Sequence, residues 1–162
     1  MKIIITAVLW VLLFPAICQE IVKIDPTMQK AILLEHNKER TLLNLENLLW
    51  DEELAKFAEE WAEGLAQEDN DISHRPDNEY GENIAYFFDD SLQIGVALWN
   101  EEKQYYKYKP IGKDFAKAGH YSQVIWSNTT HVGCGCAKGE SGAYYFVCNY
   151  NPPGNVEGEK PY

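Results

Sequence analysis

The sequence predicts an α+β domain, with helices in the first two thirds of the chain and strands at its end. Apolar residues recur at helical spacing between Leu54 and Leu65, and two weaker helical stripes lie at 28–40 and 92–99. Three apolar runs of strand length follow, at 120–126, 132–137 and 143–150. No internal repeat or linker interrupts this order, so we expect one domain with one core.

The first two helices are predicted from their caps and their spacing. Thr27 can cap the first helix, which runs to Arg40. Asp51 can cap the second helix, whose apolar face carries Leu54, Phe57, Ala58, Trp61, Ala62 and Leu65. The acidic segment 68–71 follows, and we interpret it as a solvated loop because the glycine spacing of a calcium loop is missing.

A turn-rich segment at 73–82 carries His74 and Glu82. Loops that a scaffold positions often carry function, so this pair is a candidate site. A third helix is predicted from residue 90 or 91, with Trp99 on its apolar stripe. Glu102 continues that stripe and needs a polar partner there, for which His120 is a candidate.

The last third of the chain predicts strands. His120 begins a run that alternates between two faces as far as Trp126, which predicts a strand. The runs 132–137 and 143–150 predict a hairpin, because Gly139 and Gly142 suit the turn between them. Asn128 begins an Asn-Thr-Thr sequon in a turn and is a candidate glycosylation site.

Residues 1–18 have the pattern of a secretory signal peptide: Lys2, an apolar stretch, and small residues before a cleavage point after Cys18. The stretch is too short to favour a membrane span, so we predict no stable membrane anchor. We expect residues 19–162 to form the single domain of a secreted, extracellular protein. The formal charge of −11 on the full chain argues against nucleic acid and anionic membranes as partners, and permits basic proteins and metal cations.

Without Cys18, three cysteines remain, which predicts one disulfide and one spare thiol in an oxidising compartment. Cys134 and Cys136 share one face of their predicted strand, and Cys148 lies in the next strand. A bond across the two strands is geometrically easier than one between such close neighbours. The spacing does not decide which of Cys134 and Cys136 pairs with Cys148.

An aromatic segment interleaved with lysines precedes the predicted strands, and its apolar residues are Tyr105, Tyr106, Tyr108, Pro110 and Phe115. One interpretation is an apolar ligand groove or a membrane-contacting loop. The other is a loop that packs over the sheet.

Several motifs in order closely resemble the signatures of the CAP superfamily, which includes cysteine-rich secretory proteins, venom antigen 5 and plant pathogenesis-related class 1 proteins. They are the segments 119–126, 131–135 and 145–155, preceded by His36-Asn37-x-x-Arg40, Leu49-Trp50-Asp51 and Gly81-Glu82-Asn83-Ile84. The resemblance extends from about Gln29 to Asn155. It implies an α-β-α sandwich, in which an antiparallel sheet of three or four strands lies between helical layers.

The resemblance also implies a central cleft with a tetrad of His74, Glu82, Glu102 and His120. Relatives bind zinc or another divalent cation through the two histidines, which implies a weakly bound cation at His74 and His120. A hydrolytic zinc site usually has three protein ligands, so a polar network that supports the cleft is the alternative. We treat His36 and His131, outside the tetrad, as structural.

Three functions follow from the resemblance and the residues. We favour a secreted, non-enzymatic protein of defence, venom or saliva, or reproduction, which binds a sterol or fatty acid through the aromatic segment. A metal-dependent secreted protease, with Glu82 or Glu102 as general base, is the second. The third is an acidic ligand of a receptor or channel.

Overall fold

The structure is a computed structural model that describes residues 20–113 and 115–162, so the predicted signal peptide and its cleavage point lie outside the described residues. The strands are β1 (Glu20–Ile21), β2 (Leu49–Trp50), β3 (Gly81–Phe87), β4 (His131–Lys138) and β5 (Tyr144–Asn151). The helices are α1 (Pro26–Leu42), α2 (Glu52–Glu68), α3 (Gln93–Glu101) and α4 (Gly119–Val124), with 3₁₀ helices at Glu102–Tyr105 and Phe115–Ala118. None of the described helices is long and apolar enough to cross a bilayer.

The predicted α-β-α sandwich is confirmed. Strands β1, β4, β5 and β3 are neighbours in that order and antiparallel, and β2 adds a short parallel pairing with β4. Helix α2 packs on one face of the sheet, where Ala58, Ala62 and Leu65 meet Tyr145 and Val147. Residues of α1, α3 and α4 form the larger core on the other face.

Two helices begin at aspartates. The side chain of Asp25, rather than the predicted Thr27, caps α1 by accepting from the backbone N–H groups of Thr27 and Met28. Pro26 follows it at the first helical position, where a missing N–H costs nothing. Asp51 caps α2 as predicted.

The prediction of a strand over 120–126 was wrong, because Gly119–Val124 form helix α4. The prediction divided residues 120–126 between the two faces of a strand, with polar and apolar residues on each. Ser122 and Gln123 are nevertheless as buried as their apolar neighbours, at 1% exposure each. Their side chains bond to Asn155 and Gly154 of the C-terminal turn, so their polarity reports internal hydrogen bonds and not a solvent face.

The interpretation of Glu82 as a loop residue was also wrong. Glu82 lies in β3, which pairs with β5 along its whole length from Gly81 to Phe87. Gly, Glu and Asn at the start of β3 are poor strand formers, and the pairing with β5 outweighs their propensity.

The sheet register decides the disulfide. Cys134 lies directly opposite Cys148 in the β4–β5 pairing, and these two form the bond. Cys136 lies opposite Phe146 and remains a buried free thiol. Burial raises its pKa to about 12, so Cys136 is not a thiolate nucleophile at neutral pH.

Two glycines of β4 let the backbone of α2 approach the sheet. A Cβ atom on Gly133 would lie 2.1 Å from the backbone nitrogen of Ala55, and one on Gly135 would lie 2.2 Å from Cα of Glu59. Both obstacles are backbone atoms of α2, which cannot move aside as a flexible side chain can.

We therefore expect Gly135→Ala to lower the free energy of unfolding by about 3 kcal/mol, because the helix must move off the sheet. Gly64→Ala in α2 is the matched control, since its new Cβ meets only one side-chain atom at 3.9 Å. This control should stabilise the helix by up to about 1 kcal/mol. Chemical denaturation of both variants measures the effects, and equal stabilities would contradict the close approach.

Candidate functional site

The carboxylate of Glu82 organises the loop that carries His74. It accepts hydrogen bonds from Nδ1–H of His74 at 2.7 Å, from the backbone N–H of Arg75 at 3.0 Å and from the Asn78 amide at 3.1 Å. The Glu82 side chain is only 4% exposed, whereas that of His74 is 68% exposed. The hydrogen bond to Glu82 raises the pKa of His74.

Helix α2 holds this loop from the other side. The Arg75 guanidinium lies 3.7 Å from the centre of the Phe57 ring and donates to the Phe57 carbonyl at 2.8 Å. The indole N–H of Trp61 donates to the carbonyl of Ser73 at 2.9 Å. The role of Arg75 could not be predicted from the sequence, because nothing in its spacing relates it to α2.

Glu102 and His120 form the second pair. The Nδ1–H of His120 donates to one oxygen of Glu102 at 2.6 Å, and the backbone N–H groups of His120 and Tyr121 donate to the other at 3.0 and 3.2 Å. One carboxylate therefore orients the imidazole and satisfies two free N–H groups of α4. The indole of Trp99 stacks on His120, with ring centres 6.0 Å apart.

Adjacent residues of β3 serve the two pairs. Glu82 binds His74, while the amide of Asn83 donates to the carbonyl of His120 at 3.1 Å. The same amide donates to the Tyr150 hydroxyl at 3.1 Å, and that hydroxyl lies 2.9 Å from Nε2 of His36. Asn83 thus links the second pair to the buried core. The motif at 81–84 includes Asn83, but its sequence does not predict this role.

His36 is the fully buried end of this network. Its Nδ1 lies 2.9 Å from the carbonyl of Ile32 and can only donate to it, which leaves Nε2 to accept from Tyr150. Burial lowers the pKa of His36 to about 4, so the imidazole is neutral at physiological pH. The expectation that His36 is structural agrees with this position.

The two pairs together offer two imidazoles and two carboxylates as candidate metal ligands. In both pairs a glutamate occupies Nδ1, so Nε2 remains available to a metal, an arrangement common at metal-binding histidines. Hydrolytic zinc usually requires three protein ligands. Among the described residues, no group of three or more His, Cys, Asp or Glu side chains is positioned to hold a metal ion.

A pocket of about 370 Å³ lies beside the second pair. Four of the five aromatic-segment candidates line it, namely Tyr105, Tyr106, Pro110 and Phe115, together with Ile111, Ala118 and Ser122. Tyr108 is not among the lining residues. Its ring packs on that of Tyr162 with centres 4.8 Å apart, so it holds the end of the chain.

The remaining candidate residues lie apart from the two pairs. Asn128 is exposed in the turn before β4, where its glycosylation stays a prediction. The Nδ1 atom of His131 lies 2.8 Å from the hydroxyl of Thr130.

His36 should make the stability of the protein depend on pH. Its pKa is about 4 in the folded protein and near 6.5 in the unfolded chain, so between these values the unfolded chain binds the extra proton. The free energy of unfolding should therefore fall as pH falls through this window, by up to about 1.4 kcal/mol per pH unit.

Urea denaturation between pH 4 and 7 of the wild type and of His36→Gln measures this contribution. All other titrating groups are common to both proteins, so the difference between the two slopes reports His36. Parallel pH profiles would contradict the neutral, buried imidazole.

Comparison with known proteins supports the family that the motifs indicate. The family model described as cysteine-rich secretory protein family, or CAP, matches residues 33–150. Pathogenesis-related protein 1C of Nicotiana tabacum is 39% identical over 138 residues, which cover 83% of this chain and 80% of that protein. Venom allergen 5 of Vespula flavopilosa is 35% identical over 130 residues, which cover 74% of this chain and 63% of that protein.

Among solved structures, that of NaASP2 with Zn²⁺ superimposes with a TM-score of 0.73 over 86% of each chain. Its sequence is 22% identical, so this likeness concerns the fold. The matched family model covers both His–Glu pairs and most of the sheet. The chain therefore belongs to the CAP, or cysteine-rich secretory protein, family.

Proposed function

We propose that this protein is an extracellular, non-enzymatic binding protein that holds a sterol or another lipid in the pocket between residues 104 and 122. The observation that carries this proposal is the pocket itself. Its volume of about 370 Å³ lies in the range of small-molecule sites, roughly 300–1,000 Å³. Six of its eleven lining residues carry aromatic or aliphatic side chains, and the other five are polar or charged.

The chemistry of the neighbouring groups favours binding over catalysis. The hydroxyl of Ser122 lies 2.5 Å from Oδ1 of Asn155 and donates within the fold, and Glu102 is occupied by three donors. The free thiol of Cys136 is buried and its pKa is raised. The described groups around the pocket thus include no nucleophile paired with a free base.

The family description is secretory, which supports an extracellular location. The names of the two relatives, pathogenesis-related protein and venom allergen, support a role in defence or in a secreted fluid.

Phe115→Ala should weaken sterol binding about tenfold, or roughly 1.4 kcal/mol, because it removes apolar contact area from the pocket. Tyr108→Ala is the matched control, since Tyr108 belongs to the same segment but does not line the pocket. Uptake of radiolabelled cholesterol by delipidated protein measures both. No uptake by the wild type, or equal loss in both variants, would contradict binding in this pocket.

A weak divalent-cation site is a second function that a specific observation favours. The imidazoles of His74 and His120 are each oriented by a glutamate through Nδ1, which leaves Nε2 available. When bound, the cation would supply positive charge at the surface beside the pocket. His74 and His120 would hold it, and Glu82 and Glu102 would orient them.

Calorimetric titration of zinc into the metal-free protein should show weak binding, because two imidazoles supply half of the usual four ligands. The His74→Ala/His120→Ala variant should lose this binding. His131→Ala is the control, because His131 contacts Thr130 and has no carboxylate on its ring. If the heat of zinc binding persists in the double variant, or is absent in the wild type, the two pairs are a supporting network and not a cation site.

A further inference from the structure

The charge of the pocket segment opposes that of the chain as a whole. Residues 103–117 contain five lysines and one aspartate, a formal charge of +4, in a chain whose formal charge is −11. Three of these lysines, Lys107, Lys109 and Lys117, line the pocket with its aromatic residues. The pocket therefore combines apolar side chains with the positive charge of three lysines.

Two of the three pocket lysines have no side-chain partner within the described chain. Lys103, in the same segment, pairs with Glu39 at 2.7 Å and so has a structural partner. Lys107 and Lys117 are exposed, and within the described chain neither ammonium group makes an ion pair or a hydrogen bond. We call Lys107 and Lys117 the lysine rim of the pocket.

We propose that the pocket prefers an anionic amphiphile, an acyl chain with a carboxylate or phosphate head, over a neutral lipid of the same length. This inference rests on the proposed lipid-binding function and names its ligand class. The chain would lie against Tyr106, Ile111 and Phe115, and the head would pair with the lysine rim. A neutral head leaves both ammonium groups in water and gains nothing from them.

The size of the preference follows from exposure. Ion pairs of exposed lysines are individually weak, because solvent screens them, and each contributes at most a few-fold in affinity. Two such pairs should give a preference of about tenfold. Charges farther away than roughly 8 Å are largely screened at physiological salt, so the groups at the pocket, and not the net charge of the chain, decide the preference there.

Dodecanoate, dodecyl phosphate and dodecanol share one chain and differ in the head, so their binding at pH 7.5 isolates the effect of charge. We expect both anions to bind the wild type about tenfold more tightly than dodecanol. Lys107→Gln/Lys117→Gln should lose this preference and keep the affinity for dodecanol within twofold. Lys30→Gln/Lys113→Gln changes the net charge equally at exposed positions outside the pocket, and should keep the preference.

Equal affinities for the anions and dodecanol in the wild type would overturn this inference and leave sterol or lipid binding standing. If none of the three ligands nor cholesterol binds, the proposed function fails as well. Sedimentation with phosphatidylcholine vesicles, with and without phosphatidylserine, tests whether the lysine rim binds an anionic membrane surface instead of a single lipid molecule. Lysine-dependent binding to the anionic vesicles, without any preference among the monomeric ligands, would assign the rim to a membrane surface and overturn the inference.

Discussion

The buried guanidinium of Arg40 is the constraint on which the arrangement of the site depends. It donates to the carbonyls of Val124, Trp126 and Thr129 at 2.8–3.0 Å and to that of Glu46 at 2.7 Å. A buried charge is tolerated only when its donors are satisfied, so the chain after α4 must present its carbonyls to α1. That requirement fixes the end of α4, and with it the position of His120 at the helix start.

Arg40 acts together with two other polar residues of α1. Asn37 exchanges two hydrogen bonds with the backbone of Leu48, at 2.7 and 3.1 Å, and so leads the chain into β2. His36 accepts from Tyr150 at the end of β5. The motif His36-Asn37-x-x-Arg40 thus anchors three distant segments to one helix, which explains why polar residues occupy its buried face.

The sequence predicted those features whose signal is local. The cap at Asp51, the apolar stripe of α2 and the two strands of the hairpin depend on neighbours in the chain, and the structure has all of them. Helix α4 and strand β3 could not be predicted locally, because their formation depends on distant partners. Gln123 accepts from Gly154, 31 residues later, and β3 pairs with β5. The resemblance to the CAP family predicted the tetrad residues. The position of Asn83 between the two pairs is visible only in the structure.

The Glu102–His120 pair also belongs to the structure of the pocket. Glu102 begins the 3₁₀ helix that leads into Gln104, Tyr105 and Tyr106, which form one side of the lining. His120 lies in α4, two residues after Ala118 and two residues before Ser122, which both line the pocket. The 2.6 Å hydrogen bond between them therefore joins the two sides of the pocket. A cation bound at Nε2 of His120 and a lipid bound in the pocket would both act on this hydrogen bond, so any change in its geometry would link the two affinities in both directions.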